Sequence, residues 1–239
     1  MKRRNRILLA ALVVMVIGGL AWVGLRKPPE PVYQGRTLTD WLLQYARETL
    51  ISGQPANYFE LPNESKTAVR NIGTNAVPTL LKLVSAHDSP WKINIKRWIR
   101  QLKTKAGLST NSYQRDAYTS HTLAIVGFKI LGSDGKDAVP ALINLLKSQH
   151  DDVRGTVRDC LGCIGPSAKD AVPELIRELN DVHMRFWAII TLGRIGENAK
   201  PAVPLLLQYL NDKEQAVRDV ATDALQQIDP EAASKAGVK

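Results

Sequence analysis

Residues 136–147 read KDAVPALINLLK, and the phrase returns as KDAVPELIRELN at 169–180 and as KPAVPLLLQYLN at 200–211. An earlier copy, TNAVPTLLKLVS, fills 74–85. The anchoring prolines, Pro78, Pro140, Pro173 and Pro204, are spaced 62, 33 and 31 residues apart. Because the first interval is twice 31, it hints at one degenerate unit within it, around 88–115. Self-similarity at such a period marks stacked supersecondary units and is read before anything else.

Each phrase predicts a helix. Asn75, Asp137 and Asp170 are candidate N-caps, and the proline three residues later falls in the first turn, where its missing N–H costs little. Apolar positions recur in three rows: Leu80, Leu142, Leu175 and Leu206; Leu81, Ile143, Ile176 and Leu207; Val84, Leu146, Leu179 and Leu210. A second helix follows in each unit. VRGTVRDCLGCIG at 153–165 aligns with MRFWAIITLGRIG at 184–196 and VRDVATDALQQID at 217–229. Its apolar set Val153, Val157, Cys160, Leu161 and Ile164 maps onto Met184, Ala188, Thr191, Leu192 and Ile195, then onto Val217, Ala221, Ala224, Leu225 and Ile228. Gly165 and Gly196 close their helices, the role of a glycine just past a helix end. A helix pair every 31–33 residues is an α-solenoid unit, unable to bury its own apolar face without neighbours.

The string A-V-P-x-L-[IL], followed by V-R and L-G-x-I-G, resembles HEAT repeats of the short type first recognised in phycobilin lyases, over roughly residues 64–230. The resemblance implies an all-α fold: a solenoid of about five helix pairs behind an N-terminal transmembrane helix. The overall plan is similar to bacterial membrane-anchored HEAT-repeat proteins of unassigned function. It implies no catalytic residues to carry over, and the repeat serves scaffolds, lyases, hydroxylases and DNA-repair enzymes alike. Ahead of the repeats, residues 37–63 read as a capping helix and loop, with Trp41, Leu42 and Tyr45 of the helix inward. Residues 231–239 read as a C-terminal tail.

The N-terminus carries an address. Lys2, Arg3, Arg4 and Arg6 precede an uncharged run from Ile7 to Leu25, and only Arg26 and Lys27 follow it. As a helix the run would span roughly 28 Å at ~1.5 Å per residue, close to the ~30 Å of a bilayer's hydrocarbon. The unequal basic flanks favour a cytoplasmic N-terminus and repeats outside the cytoplasm. The rival reading is a signal peptide cleaved near Gly19 and Ala21, which would release a secreted protein. No cysteine lies near the segment, so a lipoprotein modification is excluded there. Residues 1–27 are thus the anchor and 28–36, with Pro28, Pro29 and Pro31, a semi-rigid linker.

Charge is distributed just as locally. The net +9 comes from six Lys/Arg within 1–27 and seven, against one Asp, within 88–115; the remainder is slightly acidic. No nucleic-acid partner is expected from such a body. The basic surplus at 89–105 falls on an amphipathic helix, with Trp91, Ile95, Trp98, Ile99 and Leu102 on one stripe and Lys92, Lys96, Arg100 and Lys103 opposite. Such a helix packs on the solenoid by its stripe, and Lys96 and Arg100 are left as candidates for lipid or partner contact.

Other constellations are weaker. Cys160 and Cys163 form a C-x-x-C, yet Cys160 aligns with core Thr191 and Ala224 while Cys163 aligns with Arg194 and Gln227. That separates the two thiols, and no second pair completes a zinc site. None of the four histidines is followed by Glu, the pair that di-iron HEAT-like hydroxylases repeat, so no metal or cofactor is expected. The informative departure is Phe186, Ile189 and Ile190, off the apolar stripe of their helix. Their counterparts are Gly155, Arg158 and Asp159 in one unit and Asp219, Thr222 and Asp223 in the next. If exposed, the three form a partner-binding patch. The function expected is a non-catalytic, membrane-anchored scaffold that binds an as yet unknown protein outside the cytoplasm. The alternative is a lyase-like HEAT protein or other modifying factor.

Overall fold

The computed structural model describes residues 30–51, 64–87 and 117–238. Among them the chain is helical but for one two-stranded hairpin. Strand β1 (Val32–Tyr33) pairs antiparallel with β2 (Arg36–Thr37) through a turn at Gln34 and Gly35, both with positive φ. Helix α1 (Leu38–Ile51) follows at once. The Asp40 carboxylate accepts from the Thr37 backbone N–H at 3.3 Å, and the Thr37 hydroxyl receives the Asp40 N–H at 3.2 Å, a reciprocal cap. Trp41, Leu42 and Tyr45 of α1 are buried. Of the expected linker 28–36, residues 30–36 are tied to α1: the Trp41 indole N–H bonds the Tyr33 carbonyl at 3.1 Å, and the Leu38 N–H bonds that of Pro31 at 2.9 Å.

Helix α2 (Glu64–Ile72) packs against α1, and four pairs follow. They are α3 (Val77–Val84) with α4 (Ala117–Leu131), α5 (Val139–Leu145) with α6 (Asp151–Ile164), α7 (Val172–Glu178) with α8 (Arg185–Ile195), and α9 (Val203–Tyr209) with α10 (Gln215–Ile228). The second helices α4, α6, α8 and α10 pack side by side, each also touching its own first helix. All four leucines of the first row are fully buried, each contributing about 1.5–3 kcal/mol by area. The second row, Leu81, Ile143, Ile176 and Leu207, is half-buried throughout. In these two rows one register sets one depth, whereas in the third Val84, Leu146 and Leu179 are buried and Leu210 is half-buried.

The helix starts differ from the capping expected of Asn75, Asp137 and Asp170. Each lies inside a 3-10 turn (Gly73–Ala76, Gly132–Ala138 and Gly165–Ala171) that runs straight into the next helix. Ala138 at the junction keeps helical angles (φ −79°, ψ −18°), and the Val139 N–H bonds the Lys136 carbonyl. The turn's own carbonyls thus meet N–H groups that a cap would otherwise have to satisfy. The glycine stops hold. Gly165 (φ 67°, ψ −136°) and Gly196 (φ 72°, ψ −142°) occupy a region that a side chain disfavours, and they turn the chain from second helix to 3-10 segment. At the array's end, residues 230–235 form a short helix, α11 (Pro230–Lys235), rather than a tail. It is capped by the Asp229 carboxylate, with Ala233 buried.

The expected span 7–25, the degenerate unit at 88–115 and the basic helix with Lys96 and Arg100 lie outside the described residues, as does the loop expected at 51–63 apart from Ile51, which ends α1. Among those described, no helix is long and apolar enough to cross a membrane.

Candidate functional site

The α6–α8 contact departs most from its neighbours. Where α8 carries Phe186, α6 has Gly155, and a Cβ built there would meet nothing within 4 Å. Beside that bare glycine, a groove of about 310 Å³ runs between the two helices. Gly155, Arg158 and Asp159 line one wall; Trp187, Ile190 and Arg194 line the other. A smaller groove of about 100 Å³ continues between α8 and α10, lined by Asp223 and Val220 and sharing Ile190 and Arg194 with the first. Gly162 lets the wall close in, since a Cβ there would come within 2.8 Å of Arg194 Cδ.

The polar members are paired. The Arg194 guanidinium lies 3.3 Å from the Asp159 carboxylate at the groove's open side. Deeper, Arg158 Nη1 donates to both carboxylate oxygens of Glu178 on α7 at 3.1 Å, and its Nη2 reaches Met184 Sδ at 3.4 Å. Arg158 Nε is buried without a partner. Burial pushes the Glu178 carboxyl above its ordinary range, and the Arg158 charge and hydrogen bond hold it back. Above them the Trp187 ring is 52% exposed, edge-on to Phe186 with ring centres 5.0 Å apart.

The predicted patch is brought together only in part. Ile190 is half-buried and lines both grooves; Phe186 is half-buried against the core. Ile189 is 0% exposed and leaves the surface altogether. Its column explains why. The equivalent Arg158 reaches forward to Glu178 in the following unit, so this position faces the gap between units, and Ile189 fills that gap with hydrocarbon. Trp187 was the residue missed. Its signal was the column Thr156, Trp187, Val220, in which a large aromatic replaces smaller side chains.

The other sequence features fall where a packed array puts them. Cys160 is buried and Cys163 half-buried, and burial raises both thiols' pKa. Among the described residues no three His, Cys, Asp or Glu are grouped as a metal would require. His150 and His183 precede α6 and α8 in the inter-helix turns; the His150 ring stacks on His87 at 4.4 Å. The paired turns are stapled by arginines: Arg154 donates to the Ser148 carbonyl at 2.7 Å and Arg218 to that of Asp212 at 2.6 Å. Arg185, in the same register, instead reaches into the next unit, to Asp212 at 3.2 Å and Glu214 at 3.1 Å.

The family model of HEAT repeats matches residues 139–226, the stretch from α5 into α10 that carries both grooves. With the helix pairs in register over the same stretch, residues 139–226 carry HEAT repeats, helical repeats that generally serve protein–protein interaction. No curated protein matches the chain.

Proposed function

We propose that this chain is a non-catalytic scaffold, anchored in a membrane by residues 7–25, whose repeats lie outside the cytoplasm and seat a partner protein in the α6–α8 groove. The observation that carries the reading is Trp187. A tryptophan half in solvent beside a groove is costly to leave uncovered and is among the side chains that dominate interface energetics. Met184 and Ile190 extend its apolar surface, and the ion pair Arg194–Asp159 supplies a polar rim. The address is supported by the uncharged 19-residue run and its unequal basic flanks.

The test is recovery of partners from solubilised membranes by the full-length chain and by Trp187→Ala, quantified by mass spectrometry beside thermal unfolding of each. Because the ring is half exposed, the variant should stay folded, while recovery of the specific partner falls by at least about tenfold, the scale of a hot-spot truncation. An unchanged set of partners on a folded Trp187→Ala variant would remove the groove from the interaction.

A further inference from the structure

The columns of the array specify what the groove's occupant must look like. Asp159, Ile190 and Asp223 hold one register position on α6, α8 and α10; Asp159 lines the larger groove, Asp223 the smaller, and Ile190 both. The row therefore reads carboxylate, hydrocarbon, carboxylate across three neighbouring helices. Asp223 has no ion-pair partner among the described residues, and Asp159 meets only the half-exposed Arg194. That contact shows that a guanidinium fits at Asp159, between the carboxylate and the wall carrying Trp187. Arg158 adds no cation to the surface, since it is buried against Glu178.

We propose, resting on the reading of the groove as a docking surface, that it takes an extended peptide of a partner protein in which a large apolar residue stands between two cationic ones. Packed helices lie about 8–10 Å apart, so two steps separate the carboxylates by roughly 18 Å. An extended chain advances about 3.3 Å per residue, which puts the two cations about six positions apart with the apolar anchor midway. One cation sits on Asp159 beside the Trp187 indole, gaining both ion pairing and a cation–π contact; the other sits on Asp223. The anchor rests on Ile190. Arg194 competes for Asp159 from within and is displaced on binding.

The probe is a fluorescent peptide, Arg-Ser-Ser-Leu-Ser-Ser-Arg, titrated by anisotropy into the full-length protein in detergent, beside its Glu-for-Arg counterpart. The basic peptide should bind and the acidic one should not. Asp159→Asn with Asp223→Asn should weaken binding at least tenfold, and Arg194→Gln should tighten it several-fold. Equal binding of both peptides, no binding at millimolar peptide, or indifference to the Asn pair overturns the proposal. Indifference to the Asn pair while Trp187→Ala still abolishes recovery of the cellular partner would leave the scaffold standing and remove the charge requirement alone. Binding that emerges only after Lys96→Gln with Arg100→Gln would give the groove to the chain's own basic segment and overturn a partner peptide as its occupant.

Discussion

Replacing Arg158 by isoleucine copies what the next unit already carries in that column at Ile189, yet it should destabilise the protein. The Arg158 side chain is 6% exposed and that of Glu178 14%, so both charges are largely withdrawn from water. Removing one partner of such a pair leaves the other desolvated and unpaired, which costs about 3–5 kcal/mol. For a domain of this size that is a fall in Tm of roughly 6–20 °C, at about 2–4 °C per kcal/mol. Glu178→Leu copies Leu145, its counterpart one unit earlier. Adding it to Arg158→Ile removes the stranded charge, and most of the loss should return. A hydrocarbon pair of similar volume commonly matches or exceeds a buried ion pair.

The same reasoning fixes a pH dependence. In the folded protein the Glu178 carboxyl already titrates above its ordinary 4.5, burial being the larger cause and Arg158 the counterweight. A carboxyl whose folded pKa exceeds its unfolded one favours folding most below the unfolded value, and that contribution is lost as pH rises through the folded value. Without Arg158 the counterweight is gone and the window extends upward. The deficit of Arg158→Ile relative to wild type should therefore be largest near pH 7.5 and narrow on acidification toward pH 4.5. The double variant should show no such narrowing. Urea unfolding of all three proteins across that range measures it. A single-variant cost under about 1 kcal/mol, flat with pH, would refute the picture of a dry, coupled pair.

Two further outcomes are expected. In native protein the Cys160 thiol should resist alkylation at pH 8 and Cys163 should react slowly, because burial raises both pKa values and encloses Cys160 fully. Rapid labelling of Cys160 without unfolding would contradict its place in the core. Full-length protein should stay with membranes through a carbonate wash, and protease added outside the inner membrane should digest the repeats. A soluble product beginning near Trp22 would establish cleavage instead.

The body of the fold was legible because its period is short and its units agree. Three copies of one phrase fix which positions are inward, and every member of the aligned second-helix set is buried save Met184, which is half-buried. What failed to transfer was local. Asp137 and Asp170 look like caps because Asp before an apolar run usually is one, but a 3-10 turn entering the helix without a break satisfies the same N–H groups. Sequence shows that a polar side chain could cap; it does not show that the backbone has already left no work for it.

The candidate site turned on a subtler point, that a helical wheel knows one helix and a solenoid helix has three neighbours. Off the main stripe, Phe186, Ile189 and Ile190 count alike on the wheel. In the array they divide: Ile189 points into the gap between units, while Ile190 points along the open side shared by α6, α8 and α10. The distinction was present in the columns. At Ile189 the counterpart is Arg158, and an arginine can occupy an inter-unit gap only with a carboxylate to receive it, which Glu178 supplies from the next first helix. At Ile190 the counterparts are Asp159 and Asp223, short acids suited to an open groove. A column whose polar member is long and has a partner one unit ahead faces inward, and a column of short acids faces out. By that rule Thr222, in the Ile189 column but with the short helix α11 and no first helix of another pair after it among the described residues, should be only partly covered, and it is half-buried.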